Sequence, residues 1–277
     1  MIAAMAGLAT ADVFIKLVTA ELPLGQVMLF LGSSGAVFFA ILARANGETM
    51  LSRDLLSGPV MIRNVAEVVG TFGFMMAITH TALSSASAIL QAMPLAITLG
   101  AVLFLGETVG WRRWMAIAVG FGGVLMIIRP GLDGFEPASL FAVLAVLGLA
   151  ARDLATRATT GRLSSMVLAS YGFAMLLPAG LLMTVTGAGL IIPSPTAGLQ
   201  LLGGFLASIL GYYAITAAMR TGAVSVVSPF RYSRLIFALA FGFWVFGERP
   251  DVLTLGGAVL IILSGLYALL RERQHSQ

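Results

Sequence analysis

Eight ionisable side chains stand inside long apolar runs of this chain: Asp12, Lys16, Arg63, Glu67, Arg152, Asp153, Arg231 and Arg234. In a hydrocarbon setting a charge is costly, so each must pair with another, meet a polar cavity or bind a charged solute. Asp12 and Lys16, Arg63 and Glu67, and Asp153 and Arg157 are spaced four apart, which on a helix puts both members of each pair on one face. Arg231 and Arg234 are three apart and share a face as well, about nine and twelve residues into their apolar run, near mid-membrane. Two cations at that depth need an anion, and either Glu67 or the carboxylate of a solute can supply it.

These charges lie among polar groups suited to a small-molecule cavity. Ser228, Pro229 and Tyr232 share the run that holds Arg231 and Arg234, and Gln91 and Pro94 occupy the matching run of the first half. A proline within a span removes a backbone hydrogen bond and bends the helix, leaving carbonyls for a ligand or water. Interrupted helices at corresponding places in two halves are a pointer to a transport site. The predicted binding set is therefore Arg63, Glu67, Gln91, Tyr212, Ser228, Arg231, Tyr232 and Arg234, with Pro94 and Pro229 as kinks. Asp12, Lys16, Asp153 and Arg157 are predicted as gate or coupling residues. For these pairs a purely structural role, with the long basic chains snorkelling to the interface, is the competing account.

The elements that must hold these groups are read from composition. Of 277 residues, 59% are hydrophobic and 10% charged, against roughly 25% charged in soluble domains. Apolar runs are predicted at about 2–20, 24–43, 57–79, 82–105, 111–128, 136–156, 163–185, 196–219, 222–246 and 251–270. Runs of this length without strand-like alternation must be helices, because lipid satisfies no backbone hydrogen bond. The predicted fold is all-α, a polytopic bundle of ten transmembrane helices, and the first run reads as a true span rather than a removable signal peptide.

With both termini in the cytoplasm, the inner loops and tail collect Arg44, Arg53, Arg112, Arg113, Arg157, Arg162, Arg220, Arg271 and Arg273, whereas the outer loops hold Arg129 and Arg249. That asymmetry follows the positive-inside rule and accounts for the pI near 10.0 without nucleic acid.

The chain also repeats itself. Asp12 and Lys16 recur as Asp153 and Arg157; Ala82, Ser84 and Ser87 as Ala223, Ser225 and Ser228; Leu105-Gly106-Glu107 as Phe246-Gly247-Glu248; all at an offset of 141. Residues 1–134 and 135–277 are thus expected to be two five-helix repeats of one integrated unit. An odd number of spans per repeat inverts the second copy. Glu107 and Glu248 read as interfacial carboxylates that favour the start of the next helix and accept from loop amides.

A helix ending in Leu105-Gly106-Glu107 before a Gly-rich span, with its recurrence at Phe246-Gly247-Glu248, resembles the ten-span EamA-type branch of the drug/metabolite transporter superfamily. The resemblance covers essentially the whole chain. It implies two inverted repeats around a central cavity and secondary transport of small metabolites across the bacterial inner membrane, amino-acid exporters, aromatic ones among them, being members of this kind.

Other chemistries find no support in the residues. There is no cysteine, and the two histidines, His80 and His275, cannot alone form a metal cluster. No Walker loop and no nucleophile elbow occur, so neither ATP-driven pumping nor an intramembrane hydrolase is expected, and no cofactor or metal is called for. The expected activity is export of an amino acid or similar metabolite by alternating access, the alternative being a broad-specificity exporter of drugs or apolar compounds. Five intramembrane bases against three acids speak against cationic drugs. The expected partners are the small solute and the lipid bilayer, with no nucleic acid, the protein itself being a monomer or, in the alternative, a homodimer.

Overall fold

A computed structural model describes the chain apart from residues 108–109, 133, 159–162, 188, 222–227 and 276–277, and apart from the side chains of 157–158, 216–217, 219–221, 228–229 and 270–275. The described residues form helices and no strand: α1 (Ile2–Val18), α2 (Leu24–Ala45), α3 (Gly58–His80), α4 (Leu83–Leu90), α5 (Met93–Leu105), α6 (Trp111–Ile128), α7 (Leu140–Ala158), α8 (Ser165–Ala174), α9 (Leu176–Thr186), α10 (Pro195–Thr221), α11 (Ser233–Phe246) and α12 (Val252–His275). Short 3-10 turns cover Arg53–Leu56, Pro137–Ser139 and Ser228–Tyr232. Eight stretches have the length and hydropathy to cross a membrane: Leu24–Ala45, Gly58–His80, Leu83–Leu105, Trp111–Ile128, Pro137–Thr156, Ser165–Thr186, Pro195–Ile215 and Val252–Leu269. Helix α1, at 17 residues, and the described part of α11, at 14, are shorter. Val37, Ile41, Phe104, Leu181 and Trp244 are among many large apolar side chains left on the outside, as suits a surface that meets lipid rather than water.

Three predicted spans depart from one continuous α-helix within their described residues. The first break lies at Gln91 and Ala92, just before Pro94, which has no N–H for the Leu90 carbonyl. The 3-10 turn Ser228–Tyr232, which contains Pro229, gives way to α11. The third separates α8 from α9 at Met175, one turn before Pro178, a break that the sequence reading did not foresee.

The Gly-Glu motifs have a backbone reason. Gly106 ends α5 at φ 68° and Gly247 ends α11 at φ 65°, both in the left-handed region that suits glycine. In each motif the following glutamate N–H reaches back into its helix, Glu107 to the Ala101 carbonyl at 3.2 Å and Glu248 to that of Gly242 at 2.9 Å. The acceptors are themselves 141 residues apart.

Helix contacts follow the same offset. Gly148 on α7 faces Gly70 on α3, and a Cβ at Gly148 would stand 2.5 Å from the Gly70 nitrogen. Gly7 on α1 faces Gly211 on α10, where a Cβ on Gly7 would stand 3.1 Å from the Gly211 Cα. Only hydrogen allows backbones to approach so closely, the device by which small residues hold membrane helices together. The buried core includes Met28, Ile78, Leu83, Ile89 and Ile261; of the predicted charges Asp12 and Arg63 are buried with it and the other six are partly exposed.

Candidate functional site

Two clusters of charge occupy the interior. The first joins α3 and α7. Arg152 donates from Nη1 to Glu67 Oε1 at 3.1 Å and from Nε and Nη2 to Asp153 Oδ1 at 2.8 Å each. Glu67 also faces Arg63 Nη2 at 3.6 Å and accepts from the Thr71 hydroxyl at 3.4 Å, while Arg63 Nη1 donates to Asn64 Oδ1 at 3.0 Å. The predicted Arg63–Glu67 pair therefore exists, and the closer partner of Glu67 is Arg152 from the neighbouring helix.

Tyr212 borders this cluster within electrostatic reach of Arg63, Glu67 and Arg152, and its hydroxyl donates to the Ser165 carbonyl at 3.3 Å. Its ring packs edge-on against Phe39 with centroids 4.7 Å apart, and Phe39 stacks on Phe173 at 5.7 Å. An aromatic wall from α2, α8 and α10 thus adjoins the guanidinium groups of α3 and α7.

The second cluster joins α1 and α11. Arg234 grips Asp12 with two nitrogens, Nη2 at 2.7 and 3.0 Å and Nε at 3.2 Å, and lies 5.2 Å above the Phe74 ring. Two sequence expectations are corrected here. Asp12 does not pair with Lys16, because the planar fork of Arg234 offers parallel bonds that a single ammonium cannot match. Nor does Glu67 answer Arg234, since Arg152 on α7 is nearer and holds it.

Lys16 turns the other way, to the end of the bundle. Its Nζ donates to the Thr81 carbonyl at 2.7 Å and to Glu248 Oε1 at 2.9 Å, above the Phe246 ring. Glu248 in turn accepts from the Leu83 N–H at 2.6 Å, the Ser84 N–H at 2.9 Å and the Ser84 hydroxyl at 2.7 Å. Burial pushes the Glu248 carboxyl up, but the Ser84 amide and hydroxyl, Lys16 and the Leu83 amide outweigh it and hold the group below its ordinary value. The glutamate caps a helix, as expected of an interfacial carboxylate, but the helix is α4 from the other half of the chain rather than α12, which follows it.

Arg231 is different from its neighbours. Among the described residues it makes no hydrogen bond and no ion pair, although Asp153, Arg152 and Arg234 lie within electrostatic reach. Tyr232 beside it is buried with a hydroxyl that has no partner among the described residues, and its backbone carbonyl accepts from Gln91 Nε2 at 3.2 Å. The interior thus gathers Arg63, Glu67, Arg152, Asp153 and Tyr212, and around α11 Asp12, Gln91, Arg231, Tyr232 and Arg234. The side chains of Arg157, Ser228 and Pro229 lie outside the described ones. Sequence reasoning missed Glu248 as the partner of Lys16 and underrated Arg152, which it counted among the buried charges without placing it in the site. The signal for Arg152 was its position beside Asp153.

The sequence profile of the EamA-like transporter family matches twice, over residues 1–129 and 137–270. The chain belongs to the EamA-like transporter family. Among its curated relatives, this EamA-like protein is 31% identical over 220 residues to a riboflavin transporter of Rhizobium johnstonii, covering 78% of this chain and 72% of that one. It is 26% identical over 215 residues to an S-adenosylmethionine uptake transporter of Rickettsia felis, covering 77% and 72%. To a pseudopaline exporter of Pseudomonas aeruginosa it is 26% identical over 258 residues, covering 91% and 88%. A crystal structure with 17% identity superposes at a TM-score of 0.62 over 99% of both chains, a likeness of fold alone. The protein is a multi-pass membrane transporter of small molecules.

Proposed function

We propose that this EamA-like transporter exports an amino acid, an aromatic one by preference, across the bacterial inner membrane by alternating access of two inverted repeats, 1–134 and 135–277. Both termini face the cytoplasm in this reading, which rests on the positive-inside asymmetry of the loops. The observation that carries the substrate assignment is Arg231, a guanidinium in the interior with no ion pair among the described residues. A half-buried cation left in that state suits an anion that comes and goes. Arg234 does not compete for it, because Asp12 already occupies its fork.

The substrate carboxylate meets Arg231, its amine faces Asp153 and Glu67, and its ring lies against Phe39, Phe173 and Tyr212. Four arginines, Arg63, Arg152, Arg231 and Arg234, stand against three acids, Asp12, Glu67 and Asp153, so a net positive interior disfavours cationic drugs. Uptake of radiolabelled phenylalanine into everted membrane vesicles tests the reading. Loss of uptake in Arg231→Gln, with folded protein in the membrane, is the expected outcome; unchanged uptake overturns the assignment of Arg231.

A further inference from the structure

A groove of about 300 Å³ runs along the outer face of α6 and α12, lined by Trp111, Arg112, Met115, Val119 and Tyr267 over a floor of Ala116 and Ser264. It lies apart from the charged interior and plays no part in the proposed transport reading. Its form follows from helix packing. A Cβ on Gly123 would stand 2.6 Å from the Gly257 carbonyl, so the two helices are closest there. Toward the start of α6 the small Ala116 and Ser264 are buried between them, while Trp111 at 70%, Met115 at 55% and Tyr267 at 43% exposure stand up as walls.

The walls are apolar along most of their length and basic at one end. Arg112 lies 5.7 Å from the Trp111 ring centroid, at the first turn of α6, where Gly110 has no side chain to cap the helix and no acid stands in the first turn. Arg112 is the one charged side chain among the described residues that line the groove. An apolar slot ending in an arginine, an indole and a positive helix end complements one kind of membrane component, a molecule with a long hydrocarbon chain and an anionic head.

We infer that this groove binds an anionic phospholipid, one acyl chain lying between α6 and α12 and the phosphate against Arg112. With the orientation proposed above, Arg112 belongs to the cytoplasmic leaflet; the binding itself does not depend on that orientation. An uncharged or zwitterionic lipid fills the same slot without the contact to Arg112, so the head group decides the preference. One arginine near a membrane surface contributes about fivefold in affinity for an anionic head.

Native mass spectrometry of the detergent-purified protein, with phosphatidylglycerol and phosphatidylethanolamine of matched chains, tests this. Wild type is expected to retain one phosphatidylglycerol about fivefold more tightly than phosphatidylethanolamine. Arg112→Gln should abolish that preference, Val119→Trp should reduce retention of both lipids, and Arg44→Gln, on α2, should leave it intact. Equal retention of the two lipids by wild type, a preference that survives Arg112→Gln, equal binding of chain-free glycerophosphoglycerol, or a lipid-free dimer abolished by Val119→Trp would each overturn the inference. Transport by Arg231→Gln protein is a separate readout, so failure of the substrate reading leaves this result standing.

Discussion

Gln91 donates its side-chain amide to the backbone carbonyl of Tyr232, and the two residues stand 141 positions apart, the offset of the sequence repeat. Two equivalent positions can touch each other only near the axis that relates them. In the proposed inverted repeat, the turns at Gln91 and Tyr232 therefore meet at the pseudo-two-fold axis, and Arg231 comes from the turn that carries this contact. Replacing Gln91 by Leu leaves the Tyr232 carbonyl without that donor and should cost about 1–3 kcal/mol. Tyr232→Phe, which removes a hydroxyl with no partner among the described residues, should leave thermal stability unchanged or raised. Melting of the two purified variants checks both signs.

Arg231 and Arg234 should separate in their effects although they are three residues apart. Arg231→Gln is expected to keep the wild-type melting temperature and reduce transport by roughly 30-fold, the loss of about 2 kcal/mol of charged contact. Arg234→Gln should destabilise on the order of 3 kcal/mol, because Asp12 is left buried without its partner. Adding Asp12→Asn to Arg234→Gln should restore most of that stability. A double variant no more stable than Arg234→Gln alone would contradict this account.

The glycine contacts predict a graded response. Gly148→Ala places a methyl group 2.5 Å from the Gly70 nitrogen, so backbone must move, whereas Gly7→Ala meets the Gly211 Cα at 3.1 Å and needs a smaller adjustment. The first should lower the yield of folded protein more than the second, a comparison read from gel-filtration profiles of the two variants.

Two carboxyls outside the spans set an acid-side limit. The Arg129 side chain, with the Thr254 amide and hydroxyl, holds Asp251 down to about 2 from an ordinary value of 3.8. Glu248 is likewise held below 4.5. A depressed carboxyl stabilises the folded state fully above its unfolded value and loses that contribution as pH falls through its folded one. Stability should therefore be flat above pH 5 and decline below about pH 4.5, and Glu248→Gln should reduce the slope. The contribution of Asp251, which is half exposed, should also shrink with added salt.

The helical class and most helix ends were legible because lipid permits few alternatives and because apolar runs carry no competing period. The choice of ion-pair partners was not. Local spacing favoured Asp12 with Lys16, yet both residues take partners more than 200 positions away, on or next to α11. Sequence spacing reports which side chains share a helix face, but the partner is chosen by whichever neighbouring helix presents the better fork. The break before Pro178 was also in plain view. Its counterpart in the repeat, Val37, lies in the unbroken α2, so this proline lacks the recurrence that marks Pro94 and Pro229 as belonging to matching runs.

The cap on α4 carries a consequence for how the chain is made. The Leu83 and Ser84 amides emerge from the ribosome early, and the carboxylate that satisfies them follows about 165 residues later. At roughly 5–20 residues per second, the first half waits some 8 to 33 seconds for Glu248. During that interval the start of α4 lacks its carboxylate cap, and the two amides must take another acceptor. Biogenesis of this transporter ends only when the carboxy-terminal half reaches back to seal a helix inserted long before.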